Sequence, residues 1–201
     1  MHYHEIENGA SVKNHYRAAL AGLAAVVFAG TGSVAHAEGP APVLVNGNFE
    51  NGDTGWAAWG GAIIRHVGAY GAGGSSGVAE LGGHGADQDE VLQQVFVLPA
   101  YCSGRLSFQM RSDFLPSNGF RELTVHVSDF SGQNHQLRYY TNKDKSPTYV
   151  AEEASLPESM RRPTAQTVTL SFVVNDWDDN TEPFLIDDVQ VHCAVVIRPR
   201  K

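Results

Sequence analysis

Two adjacent carboxylates near the end of the chain are the residues whose types and spacing first suggest chemistry. Asp187 and Asp188 lie in the segment 183–193, whose composition is typical of a β-strand. Strand side chains alternate between two faces, so Asp187 shares an apolar face with Leu185 and Val189, while Asp188 points the other way. The two carboxylates therefore do not form a catalytic pair. Asp187 instead needs a partner, because burying an unpaired charge is costly.

Aromatic residues are the second group with a definite chemistry, because the apolar face of an exposed ring stacks on a sugar ring while its polar edge stays in water. Trp59 and Trp177 stand beside polar residues in segments typical of loops, and Tyr139 and Tyr140 are adjacent. If the segment around the two tyrosines is a strand, one of them faces outward. These four residues are the candidates for ligand binding, and a place in the core or at its rim is the alternative for each.

An acidic segment at 176–182 is a third candidate site. Asp176, Asp178 and Asn180 have the spacing of the first, third and fifth positions of a calcium loop. Thr181 stands where that loop requires glycine, and Pro183 follows. A solvated hairpin loop is therefore the preferred interpretation.

No catalytic pattern accompanies these residues. The histidines lack the spacing of zinc ligands, and the chain has no nucleophile elbow, phosphate-binding loop or Cys–His pattern. No pair of carboxylates is singled out for glycoside hydrolysis. We therefore expect a protein that is not an enzyme, with a hydrolase as the least favoured alternative.

The first 37 residues are typical of a cleavable signal peptide. Lys13 and Arg17 precede an apolar run at 18–29, and residues 35–37 form a small-x-small cleavage pattern. The run is shorter than the roughly 20 residues that a membrane span needs. We predict export to the extracellular space or the periplasm; an amphipathic or disordered N-terminus of a cytosolic protein is the alternative.

Residues 38–201 then form the mature chain, which has room for one domain. Cys102 and Cys193 both lie in it, and two cysteines in an exported protein most simply form one disulfide, with two buried thiols as the alternative. The formal net charge is −8 and no basic stripe is present, so nucleic acid is not an expected partner. No further apolar segment is long enough to span a membrane.

Short alternating segments separated by glycine-rich turns predict an all-β fold, an antiparallel β-sandwich or barrel of two packed sheets. A polar, proline-containing stretch at 143–163 reads as a long connection. The predicted strands include 43–45, 62–67, 78–81, 91–98, 105–111, 123–127 and 168–174.

Three segments in this order resemble the galactose-binding-like jelly rolls, the sandwich of many extracellular carbohydrate-binding modules. They are residues 46–50 followed by Gly55 and Trp56, residues 93–97 followed by Tyr101 and 106–108, and residues 184–191. The resemblance implies a jelly roll for nearly the whole mature chain and places Trp56 where it closes the core.

The resemblance also implies a partner for Asp187. Modules of this kind often hold a structural calcium ion between the segment after the first strand and the last strand, and the matching positions here are Glu50 and Asp187. Calcium prefers six to eight oxygen ligands, some of them backbone carbonyls. A salt bridge or hydrogen-bonded carboxylate, with Arg65 or Arg105 as partner, is the alternative. Asp53 and Glu80 are the candidates for additional ligands.

These observations predict a secreted, non-catalytic binding module whose partner is a carbohydrate or a cell-surface glycan. The alternative is an extracellular structural or adhesive protein that binds another protein. Support for the first hypothesis comes from the fold resemblance and the loop aromatics.

Overall fold

The computed structural model describes residues 43–66, 68, 70–83, 88–112, 121–141, 143–176 and 182–195. The predicted signal peptide, the candidate ligand-binding residue Trp177 and most of the acidic segment lie outside these ranges. Among the described residues no helix has the length and hydropathy needed to cross a membrane.

The described chain is built from antiparallel strands and two short 3-10 turns. We call the sheet with strand order β1-β4-β9-β6-β7 sheet A, and the sheet with order β2-β3-β10-β5-β8 sheet B. In chain order the strands are β1 (Ala57–Trp59), β2 (Ile63–His66), β3 (Gly77–Leu81), β4 (Gln88–Leu98), β5 (Cys102–Ser112), β6 (Arg121–Ser128), β7 (Asn134–Thr141), β8 (Ser146–Ser155), β9 (Gln166–Asp176) and β10 (Phe184–Val195).

The hydrophobic core comes from the inward side chains of both sheets, as period-two alternation requires. Leu106, Phe108 and Met110 of β5 are buried, with the outward residues between them partly exposed. Phe108 packs edge-on against Phe172 of β9, with ring centroids 5.3 Å apart. Trp56 is buried in this core, which confirms its predicted place. The predicted antiparallel two-sheet β-sandwich is therefore confirmed.

Three segments differ from the prediction. The segment of Trp59, predicted as a loop, forms the short edge strand β1. Residues 43–45 are a bend rather than a strand, and the side-chain amide of Gln94 replaces a strand partner. It accepts a hydrogen bond from the Val45 nitrogen at 2.7 Å and donates one to the Val45 oxygen at 2.8 Å. The stretch 143–163, predicted as a connection, contains the ten-residue edge strand β8.

A β-bulge in β10 corrects the face predicted for Asp187. The register of β10 against β5 shifts between Asp187 and Gln190, and Asp188 has a positive φ of 49°. Before the bulge Phe184 and Ile186 face the core; after it Val189 faces the core. Asp187 therefore lies on the face of sheet B opposite the core, and it does not share a face with Val189.

A disulfide joins Cys102 to Cys193, as predicted, across a sequence separation of 91 residues. Cys102 begins β5 and is buried in the core, whereas Cys193 lies near the end of β10 and is partly buried. The bond thus fastens the end of the last strand to its neighbour in sheet B.

Candidate functional site

Trp59 and Tyr139 stand on one line of cross-strand neighbours on the outer face of sheet A. Trp59 pairs with Val91, Val91 with Val173, Val173 with Thr124, and Thr124 with Tyr139. Directly paired strand residues project from the same face. We call these five residues the central row. Its two rings occupy the two edge strands, and each is 45% exposed.

Polar side chains flank the central row on both sides. On one side, Asp89, Asn175, Glu122 and Thr141 pair in sequence across β4, β9, β6 and β7; we call them the acidic row. On the other side, Gln93, Ser171, His126 and Gln136 form the neutral row, which ends at the apolar Ala57 on β1. The outer face of sheet A is thus an aromatic and β-branched strip with hydrogen-bonding groups along its length.

A hydrogen-bonded trio holds one ring of the central row in place. The Tyr139 hydroxyl donates to Glu122 Oε2 at 2.7 Å, and Asn175 Nδ2 donates to Glu122 Oε1 at 2.7 Å. The bond to the carboxylate, together with its charge, raises the pKa of the Tyr139 phenol. Tyr139 is therefore a neutral donor fixed to the neighbouring strand.

The remaining aromatic candidates are placed differently. Tyr140 points into the core, where it is 7% exposed and packs edge-on against Phe108 with centroids 6.5 Å apart. It has no surface on which a sugar can stack, so its predicted binding role is corrected to a core role. Tyr139 is the exposed member of the pair, as alternation requires. Trp177 lies outside the described residues.

The two predicted calcium ligands, Glu50 and Asp187, both contact one loop, residues 71–77. Asp187 is fully buried beneath it, and its Oδ2 accepts hydrogen bonds from Ala72 N at 2.8 Å and Ser75 Oγ at 2.7 Å. A Cβ at Gly71 would lie 2.7 Å from the same oxygen, so glycine permits this close approach. Burial raises the pKa of the Asp187 carboxyl, although its hydrogen bonds oppose the shift.

Glu50 holds the other end of the loop. Its Oε1 accepts hydrogen bonds from the nitrogens of Ser76 and Gly77, each at 2.7 Å, and its Oε2 accepts one from Ser76 Oγ at 2.6 Å. These bonds lower the pKa of the Glu50 carboxyl, with the bond from Gly77 making the largest contribution. The two carboxylates thus accept hydrogen bonds from consecutive parts of the 71–77 loop.

The chemistry of this cluster suits calcium, whose ligands are oxygens. Each carboxylate accepts three hydrogen bonds, counting the bond from Asp188 N to Asp187 Oδ1, and a carboxylate offers about four acceptor positions. Counted this way, about one acceptor position on each carboxylate has no donor among these hydrogen bonds. Within the described ranges, no three His, Cys, Asp or Glu side chains are grouped to hold a metal. Calcium at Glu50 and Asp187 stays a prediction.

Neither arginine named as an alternative partner pairs with Asp187. Arg65 Nε lies 2.9 Å from Glu80 Oε2, and Arg105 Nη1 lies 3.1 Å from Glu153 Oε2. Among the ion pairs of the described residues, none includes Asp187. Among the described residues, the contacts that stabilise the Asp187 carboxylate are therefore hydrogen bonds.

Comparisons with protein-family models and with curated proteins found no match. Solved structures do match. TmCBM61 in complex with β-1,4-galactotriose is 15% identical, with 77% of this chain and 100% of that chain covered and a TM-score of 0.54. CBM27-1 of Caldicellulosiruptor saccharolyticus in complex with mannohexaose is 16% identical, with 73% and 94% covered and a TM-score of 0.51.

A third match is the CBM22-1–GH10 part of the Clostridium thermocellum endo-1,4-β-D-xylanase 10B, complexed with xylohexaose. It is 16% identical, with 77% of this chain covered and a TM-score of 0.51; this chain spans 29% of that chain. The three matches together show that the chain has the jelly-roll β-sandwich fold of carbohydrate-binding modules.

Sequence reasoning missed most of the candidate face. Val91, Val173, Glu122 and Asn175 lie on strands that the alternation did predict in whole or in part, but their alignment depends on which strands are neighbours. These residues align with Trp59 and Tyr139 only because the strands of sheet A pair in the order β1-β4-β9-β6-β7, in which β9 lies between β4 and β6.

Proposed function

We propose that this protein is a non-catalytic carbohydrate-binding module that binds a glycan on the outer face of sheet A. Trp59 and Tyr139 stack on sugar rings, and the side chains of the acidic and neutral rows bind hydroxyl groups. We further propose that residues 1–37 direct export, so that the module meets its glycan outside the cell or in the periplasm.

The observation that carries the proposal is the central row itself. Two half-exposed rings stand at opposite edges of one sheet face, with Val91, Val173 and Thr124 between them. An aromatic ring offers an apolar face with little conformational entropy to lose, which suits a ligand with flat C–H faces and a polar rim. The oligosaccharides in the three similar structures support the same ligand class.

A binding assay with matched variants tests the proposal. The full chain is screened on an array of uncharged oligosaccharides and polysaccharides, and the strongest ligand is titrated by calorimetry. Trp59→Ala and Tyr139→Ala should each weaken binding at least about tenfold, equivalent to about 1.4 kcal/mol. Tyr139→Phe keeps the aromatic ring and should lose less affinity than Tyr139→Ala.

Phe130→Ala is the matched control, because Phe130 is 70% exposed but lies in the β6–β7 turn outside the central row. It should leave affinity unchanged. Binding that survives both Trp59→Ala and Tyr139→Ala would place the glycan elsewhere. A chain that binds no glycan would contradict the carbohydrate proposal and favour a protein partner.

We also propose that a structural calcium ion joins Glu50, Asp187 and carbonyls near the 71–77 loop. The buried charge of Asp187, without an ion pair among the described residues, supports a cation there. A chelator should then lower the melting temperature by several degrees, and added calcium should restore it. An unchanged melting curve together with metal-free protein would contradict this proposal without affecting the glycan proposal.

A further inference from the structure

Three properties of the outer face of sheet A restrict the ligand: the distance between its two aromatic rings, the apolar strip between them and the negative charge beside that strip. Trp59 and Tyr139 are separated by four strand intervals of roughly 4.8 Å, or about 19 Å in all. A single sugar ring cannot contact both aromatic rings. A ligand that contacts both must be a chain lying across the strands, along the central row.

The floor between the two rings offers contact without charge. Val91 and Val173 are partly buried and Thr124 is buried, so they form a shallow apolar strip on which C–H faces can rest. Hydroxyl groups at the rim of a sugar then point towards the acidic row on one side and the neutral row on the other. A linear chain without bulky branches fits this strip.

The charge of the face is negative. Asp89 is exposed on β4, and Glu122 is partly exposed on β6. Burial lowers the pKa of the His126 imidazole, which therefore is neutral at pH 7. On the described strand positions that project from this face, no Lys or Arg is present.

Resting on the proposed function, we propose that this face selects an uncharged linear glycan at least about four sugar rings long. Asp89 and Glu122 determine this specificity, because they repel glycans that carry carboxylate or sulfate groups. The two aromatic rings determine the length, because the second stacking contact becomes available only when the chain reaches the far edge of the sheet.

A length series tests the first part. Uncharged β-1,4-linked oligosaccharides of glucose, mannose, galactose and xylose, from dimer to hexamer, are titrated against the full chain. Affinity should rise at least about tenfold from trimer to tetramer or pentamer, because the second anchor binds intramolecularly, and then level off. Tyr139→Ala should abolish the step. An affinity that is already constant from the dimer upward would overturn the inference.

A pair of glycans that are matched in length and linkage but differ in charge tests the second part. A β-1,4-mannose tetramer is compared with the β-1,4-mannuronic acid tetramer, or the glucose tetramer with its glucuronic acid equivalent, whichever neutral chain binds better. The uronic acid chain should bind at least about fivefold more weakly at low salt. This gap in affinity between the neutral and the charged chain should narrow as salt screens the repulsion.

Asp89→Asn should also narrow the gap, whereas Glu158→Gln should not, because Glu158 lies in the turn after β8 and pairs with Arg161. Equal or tighter binding of the uronic acid chain would overturn the inference while the carbohydrate proposal stands. Failure of every neutral and charged chain to bind would overturn both.

Discussion

Tyr139 donates its hydroxyl hydrogen to Glu122 across 2.7 Å, from the edge strand β7 to its neighbour β6. The bond ties an exposed ring to a side chain whose other carboxylate oxygen is held by Asn175 of β9. Three strands therefore fix the orientation of one aromatic residue. Such preorganisation reduces the entropy that a ligand must overcome when it binds.

Replacing Glu122 by glutamine should release this ring without removing it. The charged acceptor that favours the neutral phenol is lost, so the pKa of Tyr139 should fall towards 10, the ordinary value for tyrosine. Affinity for the glycan should fall by about two- to tenfold, since Glu122 positions Tyr139. NMR titration of the tyrosine ring carbons measures the pKa, and Tyr139→Phe identifies its signal. An unchanged titration would show that the bond does not form in solution.

Glu50 and Asp187 should give stability opposite dependences on pH. The lowered pKa of Glu50 contributes stability that is present above 4.5, its ordinary value, and is lost as pH falls through the folded-state pKa. The raised pKa of Asp187 contributes stability that is present below 3.8 and is lost as pH rises through the folded-state pKa.

Urea unfolding in chelator, from about pH 3 to about pH 7, measures both slopes. Relative to the wild type, Glu50→Gln should remove part of the loss of stability on the acid side. Asp187→Asn should remove the contribution to the free energy of unfolding that decreases as pH rises above 3.8. Parallel curves for the wild type and both variants would mean that neither carboxylate is linked to folding.

The bulge in β10 explains why strict alternation misplaced Asp187. Alternation assigns every second residue to one face, so it placed Leu185, Asp187 and Val189 together on the core side. Before the bulge, however, Phe184 and Ile186 are the residues that face the core. Asp188 adopts a positive φ, which inserts a residue and reverses the faces from Val189 onward. Nothing local in the sequence marks this position, because aspartate adopts both conformations and the pair Asp187–Asp188 is flanked by the apolar residues Ile186 and Val189.

Strand β8 was missed for a different reason. Pro147 and the pair Glu152–Glu153 suggested a solvated connection, yet proline and charged residues are the usual features of an edge strand. Among the described strands, β8 is an edge of sheet B and has β5 as its single partner. The polar residues of this segment correctly indicated that it is exposed to solvent, but they did not indicate a connection, because exposed edge strands are also polar.

Gly47 illustrates what the sequence motif did encode. A Cβ at this position would lie 1.8 Å from the Val189 oxygen, and Val189 N donates a hydrogen bond to Gly47 O at 2.8 Å. Gly47→Ala should therefore cost at least about 3 kcal/mol of unfolding free energy, because the backbone must move apart. Gly52→Ala is the control: its φ is positive but nothing lies within 4 Å, so about 1 kcal/mol is expected. Equal losses in denaturant unfolding would contradict the contact.

The disulfide should carry a large share of the stability without affecting the binding face. Closing a loop across 91 residues stabilises the folded state by about 4–5 kcal/mol in the chain-entropy model. The double variant Cys102→Ser with Cys193→Ser should lose about 2–5 kcal/mol in guanidinium unfolding. Its m-value should increase, because the uncrosslinked unfolded chain exposes more surface.

Glycan affinity under native conditions should stay unchanged in that variant, since both cysteines belong to sheet B and the central row belongs to sheet A. Reduction of the wild-type protein should reproduce the variant's unfolding midpoint, which separates loss of the crosslink from the effect of the two introduced hydroxyl groups. Identical midpoints for oxidised and reduced wild type would contradict the predicted stabilisation by the crosslink.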